Sequence, residues 1–412
     1  MSDFLDDAET QSPDAREAGL FAQVPQLIAH AKGNASGWAT HLEAIDAEAV
    51  TDRDALAKLP VLRKSALMAA QAETPPFGGF VVGGPGTFTR VFVSPGPIYE
   101  PQAPGLDPWK SGRALYAAGF RKGDIVHNAF AYHMTPGGFI LDEGARALGC
   151  AVLPAGVGNT DAQIAAMAAL KPAGYIGTPD YLKTLLEAAD AAGLDVSSLT
   201  KALVSGGALF PSLREWYDAR GVSVLQAYAT ADLGVIAYES PAREGLIVNE
   251  KTIVEIVRPG TDEPVPDGEV GEVVVTVFNP VYPLIRFGTG DLSAVLAGPS
   301  PCGRTGMRIK GWMGRADQRT KVKGMFVDPA QIAAVEKRHP EVLRARLIVD
   351  RKDEQDVMIL RIETEAGEGL GDAVGATLKE LTGLKGAVER AVPGSLPNDG
   401  KVIDDIRPAV TG

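Results

Sequence analysis

Two cysteines in 412 residues, Cys150 and Cys302, leave no material for a disulfide framework. No Cys-x-x-Cys or His-x-x-x-His spacing offers a metal site either. No apolar run approaches the roughly 20 residues needed to span a bilayer. The opening, Met1-Ser2-Asp3-Phe4-Leu5-Asp6-Asp7, is acidic, whereas a secretory signal places a basic flank before an apolar stretch. Positive charge is in short supply, with 40 Lys and Arg against 52 Asp and Glu and a net charge of −12. That balance argues against a general nucleic-acid or anionic-membrane surface, though not against a local cationic site. A Gly-x-Gly-x-x-Gly turn is missing after the first strand, which argues against a dinucleotide-dependent dehydrogenase. The expectation is a cytoplasmic protein with no structural metal and neither nucleic acid nor membrane as partner.

The chain is too long for one core and reads as two or three domains. Residues 13–70 are expected to be helical, with Leu20, Val24, Leu27 and Ile28 on one face and a break at Leu59–Lys64. The Gly/Pro-rich passage from Thr74 to Gly105 reads as loop. From about residue 112 short apolar runs (Ile125-Val126, Ala151–Leu153, Tyr175-Ile176, Ala202–Val204, Val222–Leu225) alternate with helical segments, one of them opening on the N-cap cluster Asn159-Thr160-Asp161. That rhythm predicts a parallel sheet covered by helices. After residue 245, Ile253–Val257 and Glu272–Val277 alternate around a turn at Asp267-Gly268 and read as antiparallel strands. The C-terminal stretch predicts helices near Pro329–Arg338 and Ala373–Leu384 and strands near Ala345–Val349 and Met358–Ile362.

Five short segments carry polar or glycine patterns suited to chemistry. They are Tyr132-His133-Met134-Thr135-Pro136-Gly137-Gly138; Ser205-Gly206-Gly207-Ala208 with Tyr228-Ala229-Thr230-Ala231-Asp232; Arg286-Phe287-Gly288-Thr289-Gly290-Asp291; Gly314-Arg315-Ala316-Asp317 with Lys321-Val322-Lys323-Gly324; and Pro393-Gly394-Ser395-Leu396-Pro397…Gly400-Lys401. Singly, each has a bland explanation: a turn, a surface ion pair, a solvated lysine. In this order, from about Leu59 to Arg407, they resemble the phenylacetate–CoA ligase branch of the adenylate-forming superfamily.

The resemblance implies an acid–CoA ligase that uses ATP, releases pyrophosphate from an acyl-AMP step, and passes the acyl group to CoA. It implies that Asp291 accepts hydrogen bonds from the ribose hydroxyls, a task suited to a carboxylate with two acceptor oxygens. Arg315 would contact the nucleotide, Asp317 would be the hinge, and Gly324 would let backbone approach the CoA arm. Lys401 would arrive as a mobile cation at the substrate carboxylate and α-phosphate. Tyr228 would stack on adenine beside Gly206 and Gly207, and Tyr132, His133 and Gly137 would line the acid pocket. Asp232 would stand in for the family glutamate that binds Mg²⁺, about 1.5 Å shorter. Gln318 stands where the family has a second Asp.

The phosphate loop departs furthest. The family's Ser-Ser-Gly-Thr-Thr-Gly-Lys-Pro is met here by Ser94-Pro95-Gly96-Pro97-Ile98-Tyr99-Glu100-Pro101. Ser94, Gly96 and Pro101 keep their places; both threonine hydroxyls and the lysine are gone, and two prolines remove N–H donors. Glu100 in place of lysine turns an attraction of about 4 kcal/mol for phosphate, at about 4 Å and an effective dielectric near 20, into a similar repulsion. Three outcomes are open: Glu100 holds Mg²⁺, other groups such as Arg286 and Lys401 carry the phosphates, or adenylation is lost and a binding role for AMP, acyl-CoA or a protein remains.

The expected architecture is α/β: an N-terminal adenylate-forming domain over residues 1–314, with parallel sheets flanked by helices and an antiparallel sub-barrel, and a small α+β lid over 315–412. The expected substrates are a carboxylic acid, aromatic by resemblance, with ATP, Mg²⁺ and CoA; the resembled branch is commonly dimeric.

Overall fold

The computed structural model describes residues 3–407 except 95, 317, 324, 353, 354 and 368. The chain divides into two compact units. The first comprises Met1–Val254, Val275–Phe287 and Leu296–Gly311, and the second Glu255–Val274, Gly288–Val295 and Trp312–Gly412. Beside the expected division at 314/315, the last crossing falls at Gly311/Trp312, and residues 255–274 and 288–295 are grouped with the C-terminal part.

The first unit is built on five parallel strands in the spatial order Ala151–Pro154, Ile125–Asn128, Gly174–Gly177, Lys201–Val204 and Ser223–Thr230. Gly234–Tyr238 and Leu246–Val248 extend the sheet antiparallel. Helices Gly137–Ala147, Thr160–Leu170, Pro179–Ala191 and Pro211–Asp218 fill the crossovers. Both faces are covered, so alternate residues of one strand enter different cores. Ile176, Leu203 and Leu225 pack with Leu115, Phe120 and Leu141. Their neighbours Tyr175, Ala202, Val204 and Val224 pack with Leu182, Leu185 and Leu186. That two-sided burial is why these strands read as unbroken apolar runs.

The expected N-terminal helices are present, and Leu20, Val24, Leu27 and Ile28 are all buried. The helix expected after Asn159 begins at Thr160, but Asn159 lies in the left-handed region at φ 54° and its side chain makes no cap hydrogen bond.

Two expectations need correcting. The passage 74–105 is not all loop, because Arg90–Ser94 and Ile98–Gln102 pair as an antiparallel hairpin. The Val91-Phe92-Val93 run outweighs the prolines, and Pro101 needs no N–H on a strand with one partner. The part expected as a sub-barrel is an open sheet in the order Leu62–Arg63, Phe287–Ser293, Gly271–Val277 and Thr252–Val257. Four strands are too few to curl around a filled interior.

The second unit carries a four-stranded sheet with Arg344–Lys352 and Gln355–Glu363 antiparallel at its centre. Ala387–Ala391 and Ile403–Asp405 lie parallel on the two outer edges. Helices Pro329–Arg338 and Leu370–Thr382 supply Ile332, Val335, Val374 and Leu378 to a core shared with Leu347, Val349, Leu360 and Ile362. The first of these helices starts where expected: Pro329 occupies its first turn, and Gln331 Oε1 accepts the Asp328 N–H at 2.9 Å.

Candidate active site

In the first unit the altered loop is a closed hairpin, and its acid points inward. Phe92 and Glu100 are register partners and both are buried, Glu100 to 2% exposure. Ser94 Oγ donates to Glu100 Oε1 at 2.8 Å. Asp232, on the turn after Ser223–Thr230, is the neighbouring carboxylate; its side chain is 1% exposed, and Lys64 Nζ donates to its Oδ2 at 2.8 Å. Burial, the Asp232 charge and a hydrogen bond with Asp232 hold the Glu100 carboxyl well above the usual carboxylate range. Those surroundings push the Glu100 carboxyl toward its protonated form. The fully buried Tyr282 phenol is pushed up mainly by burial and then by the same two acids.

Lys64 is the functional candidate that reading the sequence missed. It opens the Lys64–Glu73 helix, 168 residues from its partner. The loop has lost its lysine, yet a cation stands at this cluster from elsewhere in the chain. The only signal in the sequence was a basic pair, Arg63-Lys64, closing the break after Leu59.

The other first-unit candidates fall in three places. Gly206 (φ 71°) and Gly207 form an exposed turn after strand Lys201–Val204. Tyr228 is half-buried beside a register shift between Tyr228 and Ala229. Tyr132 is locked: its hydroxyl donates to Asp142 at 2.8 Å, accepts from Asn128 Nδ2 at 2.7 Å, and its ring meets Phe139 edge-on at 5.0 Å. Burial first, then the Asp142 charge, pushes that phenol far up. A hydroxyl so engaged leaves only the ring to face a substrate. His133 is exposed, and Gly137 starts the Gly137–Ala147 helix. Gly96 is exposed at the hairpin turn, whereas Ser94 is buried and directed at Glu100.

Arg286 does not carry phosphates. It is fully buried and its guanidinium bonds the carbonyls of Ala57 and Leu59. That removes one of the open substitutes for the missing loop cation.

In the second unit, Asp291 and Arg315 come together. The Arg315 guanidinium reaches Asp291 Oδ1 at 3.0 Å, Trp312 Nε1 donates to the same oxygen at 3.1 Å, and the two backbones form an isolated bridge. Gly290 makes this approach feasible, since a Cβ there would sit 2.6 Å from the guanidinium. Arg315 and Lys401 both line one cavity of about 290 Å³, with Gln318, Asp399 and Asp404. Lys401 is half-exposed and its ammonium rests on Asp404 Oδ1 at 2.9 Å. Asp317 and Gly324, expected as hinge and CoA contact, lie outside the described residues.

As arranged, the Asp232 carboxylate does not fit Mg²⁺. One oxygen is taken by Lys64, the other is buried against Glu100, and a divalent ion needs several open oxygen ligands or waters. Among the described residues no three His, Cys, Asp or Glu side chains converge to hold a metal, and no helix is long and apolar enough to cross a membrane.

Known proteins place this geometry in context. A family profile described as "AMP-binding enzyme" matches residues 144–277. The phenylacetate–coenzyme A ligase of Aromatoleum evansii is 29% identical over 388 residues, covering 89% of this chain and 86% of that one. That of Pseudomonas putida is 30% identical over 345 residues, covering 80% and 77%. Among solved structures, a 2-hydroxyisobutyryl-CoA ligase in complex with 2-HIB-AMP and CoA superposes with a TM-score of 0.71 at 23% identity, covering 98% of this chain and 93% of that one.

Proposed function

Because this chain belongs to the phenylacetate–CoA ligase family of ATP-dependent, AMP-forming acid–CoA ligases, we propose that it joins a compact aromatic carboxylic acid to CoA through an acyl-adenylate. A carboxylate oxygen attacks the α-phosphorus of ATP and pyrophosphate departs. The CoA sulfur then attacks the acyl carbonyl and AMP departs. One observation carries this reading: Asp291, Arg315 and Lys401 fall in one compact unit, with Arg315 and Lys401 on the same cavity.

In this reading Asp291 exchanges its bonds with Arg315 and Trp312 for the ribose hydroxyls, and Arg315, freed, faces the phosphate. Lys401 stabilises negative charge that builds between the acid and the α-phosphate, the kind of aimed cation worth a factor of about 10²–10³ in rate. Lys64 supplies the first unit with a cation that the hairpin 90–102 no longer has. The aromatic preference rests on the phenylacetate named in the relatives and on the Tyr132 ring. The test is pyrophosphate release by the full chain with ATP, Mg²⁺, CoA and a panel of aromatic and short aliphatic acids. Turnover fastest with the aromatic acids supports the reading; turnover confined to aliphatic acids removes the aromatic part, and none with any acid removes the whole.

A second reading is favoured by one feature, the inward, buried Glu100 where the resembled loop has its lysine. In it the protein binds AMP or an acyl-CoA without adenylating. Calorimetry separates the two: AMP binding without ATP binding supports the second, and ATP turnover that Lys401→Ala abolishes ends it.

A further inference from the structure

The loop that carries Lys401 is held in a way that the sequence alone does not suggest, and the holder is the residue that departs from the family's pattern. Gln318 uses both ends of its amide. Its Nε2 donates to the Gly400 carbonyl at 2.9 Å, and its Oε1 accepts from the N–H groups of Val402 at 2.6 Å and Ile403 at 3.0 Å. The three bonds straddle Lys401. An aspartate at this position could accept but not donate, and it would set a negative charge against the Gly400 carbonyl.

The rest of the loop is equally fixed. Gly400 has φ 71°, and a Cβ there would meet Val270 at 2.7 Å and Leu292 at 2.9 Å. Asn398 accepts the Val270 N–H at 3.0 Å and donates to the Gly268 carbonyl at 3.2 Å. Arg346, whose side chain is 7% exposed, divides its guanidinium between Asp399 at 2.7 Å and Asp404 at 2.6 Å. Asp399 in turn accepts the Lys401 N–H at 3.0 Å, and Asp404 takes the Lys401 ammonium. Backbone and ammonium of Lys401 thus have separate anchors, Gln318 with Asp399 for the first and Asp404 for the second.

We propose that Gln318 is the positioning residue for Lys401 in the adenylation half-reaction, fixing the backbone on both sides of it through three hydrogen bonds that need an amide. This rests on Lys401 acting in adenylation, as proposed above. Gln318 touches no reacting atom. Its effect is on where the ammonium can reach, so loosening it lowers the rate of the step that uses the ammonium and leaves the other half-reaction alone.

The experiment uses the full chain with phenylacetate, or whichever panel acid turns over fastest. Gln318→Glu keeps the size and the acceptor and removes the donor; Gln318→Met keeps the size and removes both. ATP–pyrophosphate exchange is expected to fall at least tenfold in each, with KM for ATP within about twofold. Thioester formation from CoA and the synthetic acyl-adenylate should be unchanged. Thermal melts identify any variant that fails to fold, and the other then carries the test. Equal losses in both half-reactions would mean a merely structural role and overturn the proposal, as would unchanged exchange. Lys401→Ala runs alongside. If it keeps full exchange, the lysine's own assignment falls and this inference with it; if it loses exchange while both Gln318 variants keep theirs, only the inference falls.

Discussion

Two groups of polar residues make up the candidate site, and they are treated in opposite ways. In the first unit Ser94, Glu100, Asp232 and Lys64 are spent on one another, with both acids almost fully buried. In the second, Arg315 and Lys401 keep about half of their side-chain surface in water, meeting Asp291, whose side chain is 12% exposed, at 3.0 Å and Asp404 at 2.9 Å. A solvent-exposed ion pair is worth about 0–1 kcal/mol, so a ligand can replace it at little cost. A buried pair broken on one side leaves a stranded charge at a cost of about 3–5 kcal/mol. The difference teaches that matching polar residues to a motif says nothing about whether a ligand can reach them. Arg315 and Lys401 stay open to solvent, whereas Glu100 and Asp232 are tied into the fold.

The largest expected effect comes from breaking the buried group. Lys64→Met removes the cation at Asp232 while keeping the length of the side chain. Two acids then face each other without a counter-charge, and stability should fall by about 3–5 kcal/mol, read as the shift of a urea midpoint. A loss below about 1 kcal/mol would mean that the cluster is wetter than its burial implies, and the contrast between the two regions would disappear.

Lys401→Ala should do the reverse. Its pair with Asp404 is exposed, so the same urea midpoint should move by less than about 1 kcal/mol. Adenylation, measured by pyrophosphate exchange, should drop by about 10²–10³. A variant that unfolds readily but still exchanges would reverse the roles of the two regions.

How much of this was legible beforehand follows from what each signal depends on. The parallel strands were readable because burial on both faces makes runs such as Ala202–Val204 wholly apolar, and the C-terminal helix because Asp328-Pro329 and Gln331 mark its start locally. The hairpin was not, since Pro95, Pro97 and Pro101 masked an alternation that becomes clear only when Phe92 is seen opposite Glu100. Asp291, Arg315 and Lys401 were singled out by order along the chain, and the structure puts them in one compact unit. Lys64 was not, because its partner is 168 residues away and nothing local distinguishes it from a helix-start lysine. Glu100 was identified as the decisive change, but its inward direction belongs to the pairing of two strands and to Asp232, which no local pattern encodes.

A subtler effect sharpens the contrast through pH. The Glu100 carboxyl is held above its ordinary value of 4.5 by burial and by Asp232. A raised folded-state value means that its contribution is fully present below about pH 4.5 and is lost as pH rises through the folded value. Glu100→Gln keeps a donor toward Asp232 and removes the titration. The variant should therefore gain on the parent as pH rises from about 4.5, most visibly when urea midpoints at pH 5 and pH 8 are compared. A difference independent of pH would show that the Glu100 carboxyl is not pushed toward its protonated form.

The smallest expected change is in stability on Arg315→Ala, and it is the sharpest test of the exposed group. Arg315 is 49% exposed, and Asp291, although its side chain is only 12% exposed, keeps the Trp312 N–H at 3.1 Å, so losing the guanidinium still leaves the acid a donor. The midpoint should move by less than about 1 kcal/mol. The same substitution should weaken AMP binding, because the cation leaves the cavity that it shares with Lys401. Calorimetry with AMP and a urea melt on one preparation give both numbers. Exchangeability requires a small first and a clear second: a pair whose loss costs several kcal/mol in folding is architecture, and a pair whose loss leaves AMP affinity unchanged is surface decoration. Either result would take Asp291 and Arg315 out of the nucleotide site and leave Lys401 without its partners.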